Sequence, residues 1–123
     1  MSKYYEWDQF KNIYLEDSFV LNIEDKDNKI TFTVEAVLTE KHPHYSPPQQ
    51  NEKYCYKTLK IVFNNMNSVK WFRRSGMVFT DADHNEDHGN IDCFELLSEE
   101  YHLAGDWGEV RISSSEPEVV WLP

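Results

Sequence analysis

Apolar and polar side chains alternate with a period of two along much of the chain. In residues 18–24, SFVLNIE, and again in residues 29–39, KITFTVEAVLT, apolar side chains occupy every second position. This spacing is typical of a β-strand that buries one face. The polar run DKDNK at residues 25–29 connects the two segments, so the pattern predicts a β-hairpin.

The same alternation resumes after a proline-containing polar segment, residues 40–53, which is predicted to be a long surface loop. Residues 54–63 and 69–73 are predicted to pair as a second hairpin across the turn at residues 64–68. A Gly-Asp-Trp-Gly turn predicts a third hairpin. The remaining predicted strands are residues 77–80, 91–97, 101–103, 109–113 and 118–122.

The amino-terminal segment Lys3–Tyr14 has a different period. Trp7, Phe10 and Tyr14 are spaced by three and four residues, which predicts one short amphipathic helix. About eight short strands with polar turns and one short helix predict a mainly β fold, either an antiparallel sandwich or a partly closed barrel. A length of 123 residues predicts a single domain over residues 1–123.

The composition limits the class of protein. No apolar run approaches the roughly 20 residues of a membrane helix, and the amino terminus lacks the pattern of a secretory signal. We therefore expect a cytoplasmic protein with no membrane partner. In that compartment Cys55 and Cys93 are expected to be reduced, small core residues.

The charge is unevenly distributed around a net value of −10. Residues 53–80 carry six basic and no acidic side chains, whereas residues 81–123 carry one basic and twelve acidic side chains. One explanation is pairing of oppositely charged strands across a sheet. The functional alternative is an acidic surface that attracts a basic protein partner. With such a surface no nucleic-acid ligand is expected, because most of the surface would repel phosphate.

The segment DADHNEDHGNID, residues 81–92, has the spacing of a calcium-binding loop. The oxygen ligands would be Asp81, Asp83, Asn85, Asp87 and Asp92. However, Glu86 stands where such loops need glycine, and the flanking segments are predicted strands and not helices. An acidic, solvated hairpin tip is therefore favoured, and no metal ligand is assigned.

Other candidate chemistry is sparse in the sequence. His84 and His88 lie four residues apart, and His42 and His44 flank a proline, but none of them has the spacing of a transition-metal site on a strand or loop. No nucleophile motif, phosphate-binding glycine loop or zinc-protease motif occurs. Ser18 after Asp17, or His102 near Asp106, could form a proton-transfer pair only if the fold brought them together.

Four aromatic residues, Trp71, Phe72, Trp107 and Trp121, could anchor a partner or fill the core. Trp107 is the one predicted to be exposed, because it lies inside the Gly105–Gly108 turn. The others are predicted to be core residues.

Two segments resemble known proteins. LEDSFVLNIE, residues 15–24, and YHLAGDWGEVRI, residues 101–112, resemble a set of small, uncharacterised bacterial β-rich proteins, some of which are described as immunity proteins of polymorphic toxin systems. The resemblance implies one domain across nearly all of the chain and a role in neutralising a toxin. It carries over no catalytic residue, and it does not cover residues 40–53 or 81–92.

The leading hypothesis is a non-catalytic bacterial protein-binding module of the immunity type, with no cofactor and with a basic partner such as a toxin. The residues expected to contact that partner are Asp81, Asp83, Glu86, Asp87, Glu99, Glu100 and Trp107. The alternatives are a calcium-binding β-module that uses residues 81–92 and a small enzyme of unknown reaction.

Overall fold

Antiparallel strands make up most of the protein. The computed structural model describes residues 1–76, 78–80 and 86–123. Its helical segments are two single 3-10 turns, and no helix in these ranges is long and apolar enough to cross a membrane. In chain order the strands are β1 (Ser2–Lys3), β2 (Ile13–Lys26), β3 (Lys29–Leu38), β4 (Cys55–Phe63), β5 (Ser68–Arg74), β6 (Phe79–Thr80), β7 (Glu86–Asp87), β8 (Ile91–Leu97), β9 (Glu100–Gly105), β10 (Gly108–Ser113) and β11 (Glu118–Trp121).

The strands form two main sheets that enclose one hydrophobic core. The five-stranded sheet has the order β1-β8-β9-β10-β5, the four-stranded sheet has the order β11-β4-β3-β2, and β6 and β7 form a separate ribbon. Inward-facing side chains from both sheets, including Phe32 and Ile61 from one and Leu103 and Ile112 from the other, are fully buried in that core. The prediction of a mainly β fold is therefore confirmed, and the two sheets fit the sandwich alternative, since neither sheet closes into a barrel.

Two of the three predicted hairpins are confirmed. β2 and β3 pair through a turn in which Asp27 and Asn28 have positive φ values of 54° and 61°, which matches the right-handed twist of the strands. β9 and β10 pair around the Asp106–Trp107 turn. The 40–53 loop is also confirmed, since no strand occurs within it.

The hairpin predicted between residues 54–63 and 69–73 is wrong. β4 pairs with β3 and β11, whereas β5 pairs with β10 in the other sheet. The connection crosses between the sheets, and the N–H of Asn67 donates to the carbonyl of Ser113 over 2.7 Å. Alternation of side chains identifies the buried face of a strand but contains no information on its partner.

The amino terminus does not form the predicted amphipathic helix. Two 3-10 turns, Tyr4–Glu6 and Asp8–Phe10, precede β2. The rings of Trp7 and Phe10 pack on Phe94, with centroid distances of 5.1 and 5.3 Å. Tyr14, the third position of the predicted apolar face, is instead exposed in β2. Aromatic contacts with β8 therefore determine the conformation here.

Trp107 is buried, with 1% of its surface exposed, so the prediction that it is exposed is wrong. Its ring packs on Phe32 at 5.0 Å, and its indole N–H donates to the carbonyl of Asn90 over 3.0 Å. The turn points this side chain inward, because Gly105 has no Cβ to occupy the space beside the indole nitrogen. Phe72, predicted to be a core residue, is exposed.

Candidate functional site

A wide bulge in β2 shapes the surface near its middle. Tyr14 pairs with Val37 and Phe19 pairs with Glu35, so four residues of β2 face a single residue of β3. The hydroxyl of Ser18 closes the gap: it accepts the N–H of Val37 over 2.9 Å and donates to the carbonyl of Tyr14 over 2.7 Å. Ser18 is therefore a buried structural residue, and the bulge leaves its neighbours free to face a cleft.

The segment after β7 covers the free edge of β2. Val20 donates its N–H to the carbonyl of Gly89 and accepts the N–H of His88, both over 2.8 Å. The side-chain amide of Asn90 donates to the carbonyl of Glu16 over 3.0 Å. These bonds join the two sheets at one side, and they place the 86–90 segment beside the β2 bulge.

A cleft of about 470 Å³ lies between the β2 bulge, the start of β4 and the 86–90 segment. Its wall combines three aromatic rings with four carboxylates, and we call it the acidic cleft. These residues are Phe19, Tyr54 and Tyr56, and Glu16, Asp17, Asp87 and Asp106.

The aromatic side of the cleft is a continuous surface. The rings of Phe19 and Tyr56 are tilted by 31° with centroids 6.0 Å apart, and Tyr54 meets Tyr56 edge to face at 6.2 Å. Burial raises the pKa of Tyr56, and the nearby charge of Glu35 raises it further. The Tyr56 hydroxyl is therefore protonated at neutral pH and can donate a hydrogen bond.

Hydrogen bonds hold three of the four carboxylates in place. Glu16 accepts the hydroxyl of Tyr4 over 2.7 Å, Asp87 accepts the N–H of Gly89 over 2.7 Å, and Asp106 accepts the N–H of Asn90 over 3.5 Å. Within the described residues, no lysine or arginine forms an ion pair with any of the four. The lysines and arginines of the described ranges therefore leave the negative charge of the cleft without an ion-pair partner.

Gly89 brings the carboxylates of the cleft together. It has a φ of +92°, and a Cβ at this position would lie 2.5 Å from the Cβ of Asp106. Both the backbone conformation and the close approach therefore require glycine. The side-chain oxygen of Asn90, which also lines the cleft, is buried and has no hydrogen-bond partner among the described residues.

The structure separates the residues predicted to bind a partner. Asp87 lines the acidic cleft, Glu86 is exposed beside it in β7, and Trp107 is in the core. Glu99 and Glu100 lie at the other end of β9 from Asp106. Asp81 and Asp83 fall outside the described residues. The sequence does not identify Glu16, Phe19, Tyr54 or Tyr56 as site residues, and it suggests Asp17 and Asp106 only as partners in proton-transfer pairs.

The predicted calcium loop is only partly within the described residues. Asp81, Asp83, His84 and Asn85 lie outside them, whereas Asp87 and Asp92 line two different cavities. Asp92 accepts the side-chain amide of Asn90 over 2.8 Å. The strand β6 precedes this segment, β7 lies within it and β8 begins within it, so the helical frame of a calcium loop is absent from its described part.

A second polar cluster lies on the outer face of the five-stranded sheet. The imidazole of His102 bridges two carboxylates, with its Nδ1 2.9 Å from Glu95 Oε2 and its Nε2 2.7 Å from Glu109 Oε2. The thiol of Cys93 donates to the same Glu95 oxygen over 3.4 Å and lies 3.6 Å from His102 Nδ1. Cys93, Glu95 and His102 are the described residues that could hold a metal ion together.

This cluster does not contain an activated nucleophile. Burial raises the pKa of the Cys93 thiol to about 11, and its hydrogen bond to Glu95 acts in the same direction. The hydrogen bond from His102 lowers the pKa of Glu95. Since thiolate is the reactive form, Cys93 is unreactive at neutral pH. Cys55 is buried as predicted, but Cys93 is only half-buried and is not a core residue.

Two histidines of the 40–53 loop pack on the last strand. His44 stacks on Trp121 at 4.7 Å, and His42 lies 5.0 Å from the same ring. The Nδ1 atom of His42 accepts the N–H of His44 over 3.0 Å. His42 is 9% exposed, and burial lowers its pKa, with a further lowering from the charge of His44.

We expect the protein to lose stability as the pH falls through about 6.5, the usual histidine pKa in an unfolded chain. Below that value the unfolded state binds a proton at residue 42 that the folded state excludes. In thermal melts, the melting temperature of His42→Phe should fall less between pH 7.5 and 5.5 than that of the wild type. His44→Gln should reduce this fall only partly, because the charge of His44 lowers the pKa of His42 less than burial does. Equal pH dependence in all three proteins would contradict this prediction.

Comparison of the chain with protein-family models, with curated proteins and with solved structures found no match.

Proposed function

We propose that the protein is a non-catalytic binding module whose acidic cleft receives a lysine or arginine side chain from a basic segment of a partner protein. The observation that carries this proposal is the cleft itself. It combines three aromatic rings with four carboxylates that no lysine or arginine of the described chain neutralises.

The aromatic rings and the carboxylates of the cleft both favour a cationic side chain as the ligand. A cation over the face of an aromatic ring gains about 0.5–2 kcal/mol, depending on how far it is removed from water. A guanidinium also presents a planar donor fork that matches a carboxylate. Phe19, Tyr54 and Tyr56 can supply the first interaction, and Asp87 and Asp106 the second.

The charge of the whole chain supports a basic protein as the partner. A net charge of −10 accelerates association with a positively charged surface and repels anionic ligands. At short range, the hydrogen-bonded carboxylates of the cleft then select for a partner that presents a cationic side chain. Residues 81–123, with twelve acidic side chains, provide most of this field.

The resemblance to small bacterial β-rich proteins, some of which are described as immunity proteins, supports a toxin as that partner. Its two segments, residues 15–24 and 101–112, contain Glu16, Asp17, Phe19 and Asp106, which are four of the seven aromatic and acidic residues of the cleft. In this proposal the protein is bacterial and cytoplasmic, and it blocks the toxin by steric and electrostatic contact.

A charge-matched pair of double variants tests the proposal. Asp87→Asn with Asp106→Asn removes two charges from the cleft but retains the oxygen acceptors for Gly89 and Asn90. Glu99→Gln with Glu100→Gln removes two charges at the opposite end of β9. The probe is an alternating Gly-Arg peptide, with its citrulline counterpart as the uncharged control, in an NMR titration.

We expect the cleft variant to bind the arginine peptide about tenfold more weakly than the wild type, from the loss of two charge interactions of about 0.5–1 kcal/mol each. The Glu99 and Glu100 variant should bind within about twofold of the wild type, and the citrulline peptide should not bind in the cleft. Equal weakening by both double variants would show that net charge alone attracts the peptide. The proposal of a specific cleft would then be wrong.

A further inference from the structure

The polar cluster on the outer face of the five-stranded sheet has a geometry that neither the sequence nor the proposed function explains. Cys93 and Glu95 are two residues apart in β8, and Glu95 lies directly opposite His102 in β9. The register of two strands therefore gathers a sulfur, an oxygen and a nitrogen at one point. Their separations are 3.4 Å for Sγ to Oε2, 3.6 Å for Sγ to Nδ1 and 2.9 Å for Oε2 to Nδ1.

These separations are close to those of three ligands around one tetrahedral zinc ion. With bonds of about 2.3 Å to sulfur and 2.0–2.1 Å to nitrogen and oxygen, ligand atoms lie about 3.3–3.6 Å apart. Both distances to the sulfur fit this range as they stand. The nitrogen-to-oxygen distance needs an expansion of about half an ångström, as expected when an ion replaces the hydrogen-bonded proton.

His102 also has the carboxylate partner that a metal-ligating histidine usually has on its other ring nitrogen. Its other ring nitrogen, Nε2, is 2.7 Å from Glu109 Oε2. A carboxylate in this position fixes the tautomer and ring orientation and raises the basicity of the ligating nitrogen. Lys3 contacts the outer oxygen of Glu95 at 3.6 Å and leaves the inner oxygen facing the cluster.

We propose that Cys93, Glu95 and His102 form a transition-metal site of the zinc type, with Glu109 as the residue that orients His102. The mixed sulfur, nitrogen and oxygen donors favour Zn²⁺ over the harder Ca²⁺ and Mg²⁺. Cys93 ligates as thiolate, and its proton passes to solvent when the Sγ–metal bond forms. Water takes the fourth position.

This inference is independent of the acidic cleft and of the proposed partner. No metal ligand is predicted from the sequence, because Cys93 and His102 are separated by nine residues and belong to no short motif. Only the pairing of β8 with β9 brings them together.

Metal titrations of chelator-treated protein test the site. We expect the wild type to bind one Zn²⁺ per chain in competition with a chromophoric chelator. Co²⁺ should give the near-ultraviolet absorption band of a thiolate ligand. Cys93→Ser and His102→Gln should each weaken Zn²⁺ binding at least tenfold, and Cys93→Ser should abolish the thiolate band. Circular dichroism of each metal-free variant verifies that it is folded.

Glu109→Gln separates the orienting role from direct ligation. It should weaken Zn²⁺ binding about 10–100-fold, the usual effect of losing such a partner, while retaining the thiolate band. His44→Gln, in the 40–53 loop, is the control and should bind Zn²⁺ like the wild type. Absence of stoichiometric Zn²⁺ binding, or binding that persists unchanged in Cys93→Ser, would overturn the proposal. Loss of binding in His44→Gln alone would place the ion in that loop and would also overturn it.

Discussion

Trp107→Ala is expected to lower the free energy of unfolding by about 3–5 kcal/mol, the range for truncating a fully buried large aromatic side chain. Trp107 is among the largest fully buried side chains of the protein. It contacts Phe32 from the four-stranded sheet and Trp71 from its own sheet, with centroid distances of 5.0 and 6.1 Å. Removal of the indole would leave a cavity between the sheets that neighbouring side chains fill only in part.

Urea denaturation monitored by circular dichroism measures this loss. Trp107→Phe should lower the free energy of unfolding by less than Trp107→Ala, because it retains an aromatic ring. It should still be destabilising, because the Asn90 carbonyl loses the indole donor. Phe72→Ala is the matched control: Phe72 is 56% exposed, with Arg111 over its ring at 5.3 Å, and its loss should stay below about 1 kcal/mol. A loss for Trp107→Ala as small as that of the control would contradict the burial of the indole.

The buried faces of β3 and β4 could be predicted from local pattern, since Ile30, Phe32, Leu59 and Ile61 are all fully buried. The β2–β3 hairpin is also predicted from its polar turn, and the bounds of β8, Ile91–Leu97, match the predicted strand. In β2 the pattern predicts the wrong face, because the bulge shifts the alternation: Phe19 is exposed and Val20 is fully buried. Trp107 was mispredicted because turns are usually solvated, whereas this turn folds a large side chain back between the sheets.

The two candidate sites could not be predicted, because long-range pairing creates both. The acidic cleft joins Asp17 in the β2 bulge to Asp106 in the β9–β10 turn, and no local pattern relates the two. The bulge itself could not be predicted, because the role of Ser18 in accepting the Val37 N–H is visible only in the structure. The metal cluster likewise depends on which residue of β9 lies opposite Glu95.

Gly105→Ala is expected to cost about 3 kcal/mol, at the upper end of the usual range for overpacking. A Cβ at this position would lie 2.0 Å from the carbonyl oxygen of Asn90 and 2.7 Å from the indole nitrogen of Trp107. One of these contacts is with backbone, so a rotamer change cannot relieve it. The start of β8 must move away from β9, and the hydrogen bond between Trp107 and Asn90 must lengthen.

Gly76→Ala is the matched control, because a Cβ at Gly76 would meet no atom within 4 Å. It should leave the urea midpoint close to that of the wild type. Asn90 also lines the acidic cleft and bonds to Glu16. Gly105→Ala should therefore weaken the binding of the arginine peptide even under conditions where the variant is fully folded. A variant that is destabilised but binds the peptide normally would show that the position of Asn90 does not determine the shape of the cleft. A variant as stable as Gly76→Ala would contradict the close approach of β8 and β9 at this point.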